Sequence, residues 1–145
     1  MFEIKYKFSD SNFIDIANLN DTSLRYNLFL GNITLQKNKD LILLDWCWIP
    51  ILDFALCLVS ISDTLSQKTN GEKELDFTES DEKLIFQKTN NNIKIITSFS
   101  NEILEINFED FKKVVKEFYK NFISDVVKQN HELKNNKIFL KYLKE

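Results

Sequence analysis

Six carboxylate side chains fall within one short stretch of this sequence: Glu72, Glu74, Asp76, Glu79, Asp81 and Glu82. Asp76, Glu79, Asp81 and Glu82 cluster as the ligands of a calcium loop would. The run lacks the central glycine and the ligand spacing of a calcium hand, so no metal is expected there. Glu102 and Glu105 are a second pair with acid–base potential. Their spacing of three on an expected strand puts them on opposite faces, which argues against a shared role on one substrate. The cluster therefore reads as the acidic rim of a hairpin.

Other reactive groups are sparse. His131 is the single histidine, so any Ser-His-Asp or Cys-His arrangement has to use it. It stands between Asn130 and Glu132 where two helices are expected to meet, a surface position rather than a rigid catalytic one. Cys47 and Cys57 have no C-x-x-C spacing and no accompanying metal ligands. Both are expected to be buried, inert thiols in a reducing compartment. Glycine occurs only at positions 31 and 71, too few for a phosphate-cradling loop. No cofactor and no enzymatic activity are expected. Lys112, Lys113, Lys116 and Lys120 recur along one helix, a pattern able to grip phosphates. Arg25 is the one arginine, however, and arginine is the usual reader of guanine edges. A solvated lysine face is expected, with no nucleic-acid partner.

The chain that positions these groups has 145 residues, 43% hydrophobic, with 13 phenylalanines, and is read as one domain over residues 1–145. Its net charge of −3 is unevenly spread. Residues 1–110 carry 10 basic and 18 acidic side chains; residues 111–145 carry 9 basic and 4 acidic. An acidic body with a basic end bears on partners, not on fold. The opening residues alternate apolar and charged where a secretory signal would be continuously apolar, and a cytoplasmic location is expected. Leu41–Ile61 is long enough to cross a bilayer, and its 12 Leu, Ile, Val and Phe residues favour insertion by roughly 0.3–0.6 kcal/mol each. Asp53 near the middle opposes this by about 2.5–3.5 kcal/mol. Pro50 and a switch of periodicity at its centre tip the reading to a buried element of a folded domain, with no membrane partner.

Pro50 divides that greasy block. Leu41–Ile49 reads as a strand buried on both faces, and Ile51–Leu65 as a helix apolar on nearly every side, with proline at its first position. Alternation predicts strands at Phe2–Phe8 and from Leu24 to Leu30, the latter turning at Gly31-Asn32 into a strand begun by Ile33 and Leu35. Asn38–Asp40 is a second turn. Residues 9–22 read as a loop with one short element of unassigned type around Phe13, Ile14 and Ile16, and Ser66–Lys73 as a polar, mobile loop. A meander of short strands follows around Leu75, Phe86, Ile95 and Ile103–Ile106, with a turn at Asn90–Asn92. Asn107 caps a long amphipathic helix through Val126 that ends near Asn130, and a third helix is expected over Glu132–Leu143. A helix as apolar as Ile51–Leu65 must be wrapped. The expected fold is α+β: a curved antiparallel sheet around a central apolar helix, with C-terminal helices closing the other side.

This order of elements resembles the small immunity proteins of bacterial contact-dependent growth-inhibition and related polymorphic toxin systems. The resemblance spans residues 24–127 and rests on Ile49-Pro50-Ile51-Leu52-Asp53-Phe54-Ala55, the hairpin before it, the meander after it and the closing helix. It is carried by element order and apolar spacing, without an invariant functional motif. It implies a non-catalytic inhibitor whose partner is a cognate toxin C-terminal domain, in many such systems a nuclease. The partner-binding residues it points to are Glu72, Glu74, Asp76, Glu79, Asp81 and Glu82, with Trp46 and Trp48 as anchors if they are exposed. The alternative is a generic adaptor or small-ligand-binding α+β module. Oligomeric state is not written in these patterns.

Overall fold

Pro50 is the last residue of a strand, and the helix begins at the next residue. The computed structural model describes residues 1–9, 16–77 and 80–143, so Glu79, Phe13 and Ile14 lie outside the described residues. Strand β1 (Phe2–Phe8) is followed by a 3₁₀ turn at Ile16–Asn18 and by α1 (Asp21–Ser23), which runs on as a wide helical turn over Leu24–Leu28. Then come β2 (Leu30–Lys37), β3 (Asp40–Pro50) and α2 (Ile51–Ser66). The meander is β4 (Asn70–Asp76), β5 (Lys83–Thr89), β6 (Asn92–Thr97) and β7 (Ile103–Asn107). The chain closes with α3 (Phe108–Gln129), a 3₁₀ turn at His131–Asn135 and α4 (Leu140–Leu143).

The fold is α+β, but the single curved sheet is replaced by two antiparallel sheets that do not curl. One has the order β1-β2-β3 and the other β4-β5-β6-β7. Alternating inward residues of both sheets join α2 and α3 in one continuous core, including Leu35, Ile42, Leu44, Leu84, Phe86 and Ile95. The proline is the cap rather than the first helical residue: φ is −73°, and no side chain caps the helix. The first N–H of α2, that of Ile51, instead reaches the Phe29 carbonyl at 2.8 Å. Only Ser60 and Asp63 of the sixteen residues of α2 are exposed, as its apolar composition demands. Burial of each large side chain there contributes about 1.5–3 kcal/mol. Among the described residues, no helix is long and apolar enough to cross a membrane.

Four local expectations are corrected. Leu24–Leu28 is helical, not a strand. Asn20 caps the turn, its Oδ1 accepting the Ser23 N–H at 2.8 Å, and Leu24 and Leu28 then share one buried face at helical spacing. Gly31 is not in a turn but the second residue of β2, paired with Phe8 and Ile49. A Cβ there would sit 2.1 Å from the Lys7 carbonyl oxygen, so glycine is needed for a close backbone approach. Strand β4 starts at Asn70, inside the stretch expected to be a loop, because its backbone pairs with β5 from Asn70↔Thr89 onward. β3 alternates rather than being buried on both faces: Ile42 and Leu44 are buried, while Leu43 is 50% exposed.

The expected third helix is interrupted at Asn136. Its buried side chain donates to the Ile16 and Leu19 carbonyls at 2.9 and 3.0 Å. Its Oδ1 accepts from the backbone N–H groups of Ile138 and Phe139, both at 3.0 Å. A side chain that serves four backbone groups competes with helix continuation. The long helix keeps its expected limits: the Asn107 side chain accepts from the N–H groups of Glu109 and Asp110, and Asn130 ends it.

Candidate contact surface at the β3 bulge

The pairing of β2 with β3 jumps. Ile33 faces Leu44 and Gly31 faces Ile49, so Asn32 alone stands opposite Asp45, Trp46, Cys47 and Trp48. Insertions of this kind bend a strand and re-aim its side chains. Two hydrogen bonds hold the bulge: the Cys47 N–H donates to Asn32 Oδ1 at 2.7 Å, and the Ser9 hydroxyl donates to the Cys47 carbonyl at 2.7 Å. Cys47 itself has φ of 67°, a left-handed conformation costing a side-chain-bearing residue roughly 1–2 kcal/mol.

The bulge brings Trp46 and Trp48 together, with ring centroids 5.3 Å apart and planes within 18°. Both are half-buried. Trp46 stands edge-on to Phe77 at 5.2 Å and to Phe99 at 5.0 Å. Phe77 follows β4 and Phe99 follows β6, so the β4–β5 and β6–β7 turns meet the bulge at one end of the molecule. Lys83 and Ser98 join those two turns, the Lys83 N–H reaching Ser98 Oγ at 2.9 Å and the Ser98 N–H reaching the Lys83 carbonyl at 3.1 Å.

Acidic residues neighbour these aromatics along the chain. Asp45 precedes Trp46, Asp76 precedes Phe77 and lines a crevice with it, the Phe77 N–H reaches the Glu82 carbonyl at 3.3 Å, and Glu102 follows Phe99 by three residues. Asp45, Asp76, Asp81 and Glu102 are exposed, and Glu82 and Lys83 are half-buried. Beside Phe77 lies a crevice of only about 10 Å³, room for a single water rather than a metabolite. The surface is thus a shallow aromatic patch with negative edges. Large rings on a negative rim suit a protein partner, where tryptophan anchors carry a disproportionate share of the binding energy.

The acidic residues expected to act together are divided by the fold. Glu72, Glu74 and Asp76 share the outward face of β4. Glu72 accepts from Gln87 Nε2 at 2.8 Å and Glu74 pairs with Lys83 at 3.4 Å, exposed contacts worth little. Of the expected residues that are described, Asp76, Asp81 and Glu82 stand toward the aromatic end. Glu74, Ile85, Ile96 and Ile103 form one row across the outer face, with Ile103 52% exposed, so apolar surface continues from that end. Asp45 and Glu102 were missed in the sequence because they lie 27 and more residues from the cluster on one side and 20 on the other; the signal for Asp45 was its break in the apolar run Leu41–Ile49.

Elsewhere the candidate groups are dispersed. His131 is exposed at the end of α3. Lys113, Lys116 and Lys120 are exposed, while Lys112 pairs with Glu109 at 3.5 Å. Cys47 is exposed, contrary to expectation, because the bulge turns it outward. Cys57 is half-buried beside Asp53, and burial first, then that carboxylate, pushes its thiol pKa up. Asp53 is held by Arg25 at 2.6 Å in a partly buried ion pair. Burial opposes the Arg25 charge, but the hydrogen bond and attraction of Asp53 outweigh it and raise the guanidinium pKa. Asp53 of α2 is therefore tied into the scaffold by Arg25.

The chain matches no known family model, no curated protein and no solved structure.

Proposed function

We propose that this chain is a non-catalytic immunity protein that binds and neutralises a cognate toxin domain, docking through the end formed by the β3 bulge and the two meander turns. The observation that carries the reading is the half-exposed Trp46–Trp48 pair at the end of the molecule where Asp45, Asp76, Asp81, Glu82 and Glu102 neighbour the aromatic residues in the chain. A nuclease must present positive charge to hold phosphates, so a negative rim is complementary to its substrate groove. Such a rim steers encounter, supporting association at about 10⁸–10⁹ M⁻¹ s⁻¹ at low salt. The aromatic pair would slow dissociation by filling an apolar site at the centre of the contact.

The test is a pull-down with the toxin domain encoded immediately upstream, followed by binding kinetics. Trp48→Ala should weaken binding by roughly 30-fold or more, the cost of losing a tryptophan anchor. Reversing Asp76, Asp81 and Glu82 to lysine should slow association and remove its salt dependence. An upstream neighbourhood of metabolic genes, or capture indifferent to both sets of substitutions, would defeat the proposal.

A further inference from the structure

We propose that β1 is the seam of a symmetric homodimer, pairing antiparallel with the same strand of a second copy. β1 is an edge of the three-stranded sheet. The opposite edge, β3, lies near β7, and the Lys37 ammonium at the end of β2 reaches the Glu105 carbonyl at 2.5 Å. β1 instead borders a groove of about 430 Å³ whose other wall is a stripe of α3 that includes Lys113, Val114 and Glu117.

The backbone fixes which groups face that groove. The Ser9 N–H bonds to the Leu30 carbonyl at 2.9 Å, and the register continues as Phe8↔Gly31 through Phe2↔Lys37. Antiparallel ladders alternate, so Lys7, Lys5 and Glu3 bond to β2, while Phe2, Ile4 and Tyr6 direct their N–H and C=O groups to the edge that pairs with no other strand among the described residues. A two-fold axis beside Ile4 lets Ile4 bond to the partner's Ile4, and Phe2 to the partner's Tyr6. The same register sets Glu3 against the partner's Lys5, twice, in the close non-bonded pairs where opposite charges attract. Any one-residue shift would lose both the bonding parity and the charge match.

The helix below fits the same axis. Phe2 stacks on Phe111 and Tyr6 packs on Phe118, so α3 runs along β1, and Ile4 lines the groove together with Lys113, Val114 and Glu117. The two-fold then brings Lys113 toward the partner's Glu117, and Glu117 toward the partner's Lys113. Strand and helix thus carry self-complementary charge about a single axis, as an isologous interface requires. This surface is separate from the aromatic end.

Sedimentation velocity across a wide concentration range reads the proposal directly. The expected result is a species of twice the 17.2 kDa chain mass that dissociates on dilution and in high salt. Lys5→Glu, which sets like charges opposite each other twice, should weaken the dimer by about tenfold or more. The double exchange Glu3→Lys with Lys5→Glu should restore it. Both sites are exposed, so circular dichroism should stay unchanged and exclude misfolding as the cause. A monomer at every concentration, or a dimer indifferent to Lys5→Glu, would overturn the inference.

Discussion

Asn136 offers the sharpest test of how the C-terminal segment is held. Its side chain is 1% exposed and makes four bonds of 2.9–3.0 Å, two as donor and two as acceptor. Asn136→Ala leaves two carbonyls and two N–H groups without that partner. At about 0.5–1.5 kcal/mol net for each bond, and with water recovering some of them, the loss is about 3 kcal/mol. A urea transition with a slope of roughly 1–3 kcal/mol/M would then move its midpoint down by about 1–3 M at unchanged slope. Asn136→Asp separates the two halves of the site. It keeps the acceptor but turns the donor into a carboxylate facing the Ile16 and Leu19 carbonyls. Desolvation and those oxygens should raise its pKa above the unfolded value. Stability is then greatest below the unfolded pKa and is lost as pH rises through the folded one, so the Asp variant should approach the wild type in acid and fall behind it at neutral pH. A loss under about 1 kcal/mol for Asn136→Ala, or an Asp variant with no such pH dependence, would refute the assignment of this residue as the clamp between the Ile16–Asn18 turn and α4.

Two further outcomes follow from the ionisable groups. Burial, and then the hydrogen bond it donates to Asp125, raise the Tyr6 phenol pKa far above its usual value near 10. That contribution to stability is complete below about pH 10 and is lost as pH rises beyond it. The stability gap between wild type and Tyr6→Phe should hold steady from neutral pH to 10 and shrink above it; urea unfolding that shows a constant gap would count against the Tyr6–Asp125 bond. In thiol titration with Ellman's reagent, exposed Cys47 should react quickly in the native protein. Cys57, half-buried with a raised pKa, should react slowly until the chain unfolds, and equal native rates would contradict the outward turn of the bulge.

The elements that were legible in the sequence are those whose signals are local and repeated. α3 combines a side-chain cap, helical apolar spacing and a terminating asparagine, and all three agree. The meander from β5 to β7 alternates cleanly around an asparagine turn, with Asn90 taking the positive φ of 53° that asparagine tolerates. Pro50 marks the strand-to-helix junction because nothing else on the chain can end one and start the other without an N–H. Where two signals competed, the choice needed tertiary contacts. Leu24–Leu30 alternates like a strand, yet Asn20 and the fit of Leu24 and Leu28 to the core decide for a helical turn. Asn136 sits in a helical pattern, yet its four long-range and local bonds interrupt it.

Composition and periodicity by themselves determined an α+β chain with a central apolar helix, an acidic body and a lysine-rich closing helix, since burial preference and backbone periodicity act residue by residue. Only the tertiary structure decided that two sheets share the wrapping, that Asn32 props open a bulge, and that Trp46, Trp48, Phe77 and Phe99 meet. Those residues lie up to 53 positions apart, from Trp46 to Phe99. Their meeting depends on strand register and turn placement, which are set by how the whole core packs rather than by any short stretch of sequence.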